Sequence, residues 1–176
     1  MNDNFTRERK NEYEKNFIYM TLMLFLLIFC SCESNQTVSL NGMSFEIPEE
    51  WNRICEDEKH FECSMQKGDG DIEFIMKVTI DEETSLEEKS DDILKKLECT
   101  AENDEKLNNL SSMTASLSGM QSQEIIEYEH EVNERKYYYK TVLFEISNGI
   151  VEMDFCSLNK TDDKYFDDVI DSIIEN

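Results

Sequence analysis

A chain of 176 residues with 40 acidic against 17 basic side chains carries a formal net charge of −23. That sign excludes a nucleic-acid partner, because phosphate binding draws on clustered Lys and Arg. It also excludes adhesion to anionic lipid by charge, so any membrane association must come from an apolar device.

Phe17 to Cys30 supplies one. These fourteen residues carry no charge, and polarity returns abruptly at Ser31, Cys32 and Glu33. At about 1.5 Å per residue the run is too short for a hydrocarbon core of roughly 30 Å. It suits instead the apolar part of a secretory signal peptide over residues 1–31, cut after a small residue. The Ser31-Cys32 junction resembles a bacterial lipobox, where the peptidase cuts before a cysteine whose sulfur receives the lipid. Cys32 has the small neighbour that such a cut requires; Cys30 is the alternative, with Leu27 at the position where the family prefers leucine. The resemblance implies a membrane anchor through acyl chains, more than one of which makes a stable attachment. Acids and bases balance ahead of Phe17, so the whole charge belongs to the residues after the leader.

Residues 32–41 are polar and read as a tether, with one domain over 42–176. Met43 to Ile47 predicts a first strand, stopped by Pro48, the only proline. Strands over Asn52–Glu56 and Phe61–Met65 flank a charged turn, and residues 67–70 make the next turn. Ile72, Phe74, Met76, Val78 and Ile80 alternate without a break, which buries one face of a strand. A helix starts at Ser85, with Glu88 completing a capping box and Leu86, Ile93, Leu94, Leu97 and Ala101 forming its apolar stripe. Cys99 projects away from that stripe.

Strands are expected over Leu110–Met120, Gln121–His130 and Lys136–Ser147, with a turn at Val132-Asn133-Glu134. Asn148-Gly149 predicts a type I′ hairpin into a strand over Ile150–Ser157. The last helix starts at Thr161 and buries Phe166, Val169, Ile170, Ile173 and Ile174. These elements make an α+β domain, a central antiparallel sheet packed by two main helices.

The stretch from Gly42 to Trp51 resembles the F-x-I-P-x-x-W opening of PsbP-like and DcrB-like domains through Phe45, Ile47, Pro48 and Trp51. Phe166 to Ile173 is similar to their C-terminal helix. The resemblance covers about residues 42–174 and implies an α/β/α sandwich. It implies no activity, since such domains serve as photosystem subunits, an import factor, effector chaperones and bacterial lipoproteins.

Chemistry is sparse. His60 and His130 are the only histidines, and Ser157-x-x-Lys160 lacks the partner motifs of penicillin-recognising enzymes. No enzymatic activity and no cofactor are expected. Among Cys55, Cys63, Cys99 and Cys156, three pairings are open; Cys55 with Cys63, on neighbouring strands of an exported chain, is the preferred disulfide. Cys55, His60 and Cys63 would give zinc only three ligands, and the run from Asp69 lacks the glycine and glutamate of a calcium loop, so no metal is expected. Lys136, Tyr138 and Lys140 share one strand face in the only basic, aromatic stretch and form the candidate interaction patch. The reading is a lipid-anchored, non-catalytic envelope protein that binds a protein partner or small ligand. A narrower version is an immunity protein or secretion chaperone, acidic enough to meet a basic toxin or effector; a hydrolase comes last.

Overall fold

A computed structural model describes residues 35–67, 71–115 and 123–175. The expected signal segment with Cys30 and Cys32, the expected turn over 68–70 and the run 116–122 lie outside the described residues. Among the described residues, ten strands and two helices follow one another as β1 (Asn35–Leu40), β2 (Met43–Pro48), β3 (Asn52–Glu56), β4 (His60–Lys67), β5 (Asp71–Asp81), α1 (Leu86–Asn103), β6 (Leu107–Ala115), β7 (Gln123–Val132), β8 (Arg135–Ile146), β9 (Gly149–Ser157), α2 (Asp163–Asp171) and β10 (Ile174–Glu175). A 3-10 turn over Lys160–Asp162 leads into α2.

Seven strands form one antiparallel sheet in the order β3-β4-β5-β9-β8-β7-β6. The alternation expected over β5 holds from Phe74 onward: Phe74, Met76, Val78 and Ile80 are buried, joined across the register by Val151, Met153 and Phe155 of β9, whereas Ile72, beyond a register shift at Met65/Gln66, is exposed. This inner face packs on a smaller sheet, β1-β2-β10, and on α2. Phe166 of α2 lies against Phe155 at 4.3 Å and Phe74 at 5.0 Å, while Phe45 of β2 meets Phe61 edge-on at 5.6 Å. The residues of the F-x-I-P-x-x-W stretch thus serve packing: Phe45 and Ile47 point from β2 into the core, and Trp51 packs on Phe74 at 4.4 Å. The outer face of the large sheet carries α1. One layer of the expected sandwich is therefore a mixed one, a three-stranded sheet with a short helix.

Several expectations are corrected. Asn35–Leu40, expected in a mobile tether, is strand β1, because Val38 and Leu40 alternate into the core opposite Phe45 and Met43. Arg53 fixes it from β3, donating from Nε to Gln36 Oε1 at 2.9 Å and from Nη2 to the Thr37 carbonyl at 3.0 Å. The left-handed hairpin turn is Asn133-Glu134, with φ of 52° and 65°, rather than Asn148-Gly149. Gly149 instead opens β9 opposite Ile146. The last helix ends at Asp171, so Ile174 leaves the expected stripe and pairs with Ser44 of β2, exposed.

The preferred disulfide is also corrected: Cys55 and Cys63 are both free. A register shift between Arg53 and Cys55 sets Cys55 opposite Glu62, while Cys63 pairs with Arg53 and Met76. Neighbouring residues of one strand point to opposite faces, so Cys55 lies on the outer face and Cys63 in the core. Burial pushes the Cys63 thiol up to about 12.

Candidate functional site

The capping box reads correctly from sequence and starts α1 where expected. Ser85 Oγ accepts from Glu88 N, and Glu88 reaches back to Ser85 N. Side-chain contacts near each end then fasten the helix to the sheet. Near its N-terminus, Lys89 Nζ lies 2.9 Å from Glu152 of β9 and 3.4 Å from Asp81 of β5. Burial works against the Lys89 charge, yet Glu152 and Asp81 outweigh it and raise its pKa. Just past its C-terminus, Asp104 lies 3.0 Å from His130 Nε2 on β7. Backbone N–H donation from Lys106, then His130, holds the Asp104 carboxyl below its ordinary range.

Between these fastenings the helix stands off the sheet. Ser90 is its only buried residue, and Leu86, Ile93, Leu94 and Leu97 are half-buried although their spacing predicts a core stripe. The space left is a cleft of about 530 Å³. Its roof is Ile93, Lys96 and Leu97. Its floor is the outer face of β5, β9, β8 and β7, with Ile75, Cys156, Tyr139 and Tyr128 in one cross-strand row and Lys77, Asp154 and Thr141 in the next.

The floor is both aromatic and acidic. Tyr128 and Tyr139 stack in parallel with centroids 4.6 Å apart and 1° between planes. Burial pushes Tyr128 up to about 12 and raises Tyr139 and Cys156 as well, so the thiol stays protonated and is a poor nucleophile. Asp154 accepts from Thr141 Oγ1 at 2.6 Å. Burial pushes its carboxyl up to about 6, and Glu152 adds to the shift, whereas the Thr141 hydrogen bond opposes it. Toward the start of α1 the cleft meets a polar depression of about 580 Å³ that shares Ile93, Lys96 and Glu152 and adds Lys89, Asp81, Glu88, Asp91 and Asp92. The combined groove is apolar at the tyrosine end and charged at the other.

Sequence reasoning missed this groove. Lys136, Tyr138 and Lys140 do share a face, as alternation requires, yet it is the face toward α2. Lys140 is nearly buried, its Nζ 2.8 Å from Asp167 of α2, and Lys136 pairs with Glu129 at 2.9 Å. Tyr138 is half-buried and lines a smaller hollow of about 230 Å³ beside the start of α2. Of the three, Lys136 is exposed, Tyr138 half-buried and Lys140 nearly closed off. His60 and His130 both lie outside the cleft lining. Cys99 is exposed, as the helical phase predicts.

No family model matches the sequence, and no curated protein matches it. Solved structures do resemble it. Cyanobacterial PsbP (CyanoP) from Synechocystis sp. PCC 6803 aligns with a TM-score of 0.59 at 14% identity, over 84% of this chain and 95% of that one. A Bacteroides thetaiotaomicron protein aligns at 0.56 and 10% identity over 82% of this chain; the match spans about half (49%) of that protein. The Pseudomonas aeruginosa protein PA94 gives 0.51 and 12% identity, over 81% of this chain and 97% of that one. Identities this low carry the fold alone, and the fold of this chain is PsbP-like, a mostly antiparallel sheet with two helices.

Proposed function

We propose that this is a lipid-anchored envelope lipoprotein of the PsbP-like and DcrB-like kind, non-catalytic, whose domain holds an elongated amphipathic small ligand in the groove beneath α1. The observation that carries the reading is the stand-off of α1. An amphipathic helix closes its apolar stripe onto a sheet wherever it can, since each buried apolar side chain contributes about 1.5–3 kcal/mol. Here Ile93 and Leu97 are held over an aromatic floor by the Lys89–Glu152 ion pair at one helix end and the Asp104–His130 contact at the other, and stay half-open. A ligand with an apolar body would complete that burial, and a polar end would reach Lys89, Lys96 and the acids beside them. Concave, mostly apolar sites with a few convergent polar groups are the usual form of small-molecule sites. The non-catalytic part of the reading is supported by the lining. Among the described residues its thiol is kept protonated and no imidazole lines it, so a Cys–His or Ser–His pair is not what the groove offers.

The test is a neutral naphthylamine probe added to the full-length protein and to Leu97→Trp, which fills the roof. The native chain should enhance probe fluorescence saturably, and the variant should weaken binding at least about tenfold, a loss of roughly 1.4 kcal/mol. Equal binding by both would remove the groove as the site.

A further inference from the structure

We propose that the β3–β4 hairpin is a surface site for a borderline divalent transition metal of the zinc class, held by Cys55 Sγ, an Asp57 carboxylate oxygen and a His60 ring nitrogen. The three ligand atoms lie within 4.8 Å of one another. Metal–ligand bonds of about 2.0–2.3 Å place tetrahedral ligands roughly 3.3–3.8 Å apart, so side-chain rotation alone closes the set.

The backbone prepares the arrangement. The register shift between Arg53 and Cys55 turns Cys55 onto the outer face, where His60 also points opposite Thr79 of β5. Asp57 Oδ1 accepts from Lys59 N at 2.9 Å and from His60 N at 2.8 Å, and Asp57 N donates to the His60 carbonyl at 2.8 Å. Those bonds fix the Asp57 carboxylate in the turn and occupy one oxygen, leaving the other for a ligand.

Neighbouring charges are arranged to leave the site to a cation. Lys59, within the turn, is drawn off by Glu82 at 2.7 Å. Glu56 is taken by Arg53 at 2.6 Å. Glu62, across the strand from Cys55, faces Lys77 with the two charged atoms 4.0 Å apart, and the three-ligand set leaves a fourth coordination position open. A thiolate, an imidazole and one carboxylate select zinc, or cobalt as its spectroscopic stand-in, over calcium or magnesium, which take oxygen ligands. Three protein ligands with one open position describe an exchangeable site, as opposed to the closed four-ligand set of a structural zinc. Cys63, an apparent ligand by spacing, is excluded because it faces the core.

The experiment uses the untagged full-length chain in neutral detergent with a non-thiol reductant, titrated with Co²⁺ and then Zn²⁺. A saturable thiolate-to-cobalt charge-transfer band of one ion per chain is expected, displaced by Zn²⁺ and indifferent to excess Ca²⁺. Cys55→Ser should abolish the band, His60→Ala and Asp57→Asn should each weaken Zn²⁺ binding at least about tenfold, and Cys99→Ser should leave it unchanged. Cys55, Asp57 and His60 lie outside the core, and circular dichroism checks that each variant keeps its fold. A band that survives Cys55→Ser, equal displacement by Ca²⁺, or no saturable signal would overturn the assignment.

Discussion

Asp154 is the side chain whose surroundings have the most measurable consequence. It sits on the cleft floor with Thr141 Oγ1 at 2.6 Å and with Lys77 and Glu152 as its nearest charged influences, and its carboxyl is pushed up to about 6. An unfolded aspartate titrates near about 3.9. The folded chain therefore binds this proton more tightly than the unfolded one. The stability it contributes is full below about pH 4 and is lost as pH rises through about 6. Asp154→Asn carries no such titration. Its stability relative to the native chain should rise by on the order of 2 kcal/mol between pH 4 and pH 7.5, read from urea unfolding at a series of pH values. Carboxylates with lowered pKa, such as Glu82 and Glu175, slope the opposite way and cancel in the comparison. A constant difference between the two proteins across that range would show that Asp154 is not held as described.

At the scale of elements, the β8–β9 hairpin shows what local sequence can and cannot convey. Asn148-Gly149 marks a reversal, and one occurs there. Gly149, however, is needed for a long-range reason: its φ is +148°, and a Cβ would come 2.4 Å from the carbonyl oxygen of Asp81 at the end of β5. Gly149→Ala should cost at least about 2 kcal/mol, lowering the melting temperature by roughly 4–8 °C in a thermal scan. An unchanged melting temperature would mean that the β5 and β9 ends do not meet as closely as this. The capping box of α1 and the alternation of β5 were legible because both are set by neighbours within a few residues. The stand-off of α1 was not, since it depends on Lys89 meeting Glu152 and on Asp104 meeting His130, pairs joined only by the fold. Asp154 between Met153 and Phe155 reads as an ordinary solvent-side residue of a half-buried strand. Nothing local shows that a helix lies above it. Cys55 and Cys63 failed as a pair for a similar reason, a one-residue bulge that alternation alone does not reveal.

For the whole molecule, the domain and the proposed leader make separate demands. Among the described residues no helix is long and apolar enough to cross a membrane. The formal charge of −23 gives the domain no affinity for anionic lipid. In the lipoprotein reading proposed above, anchoring would rest on Cys32, and Cys32→Ala should abolish incorporation of labelled fatty acid and leave uncut precursor, while Cys30→Ala should still be processed. Exchanged outcomes would move the anchor to Cys30, and normal labelling of both variants would end the lipoprotein reading. The most direct measurement of the central claim is to purify the full-length protein from its own membranes, extract it, and compare the small molecules recovered with those from Leu97→Trp by mass spectrometry. One amphipathic species enriched with the native chain and lost from the variant is the expected result; the same extract from both, or none from either, would contradict a ligand held beneath α1.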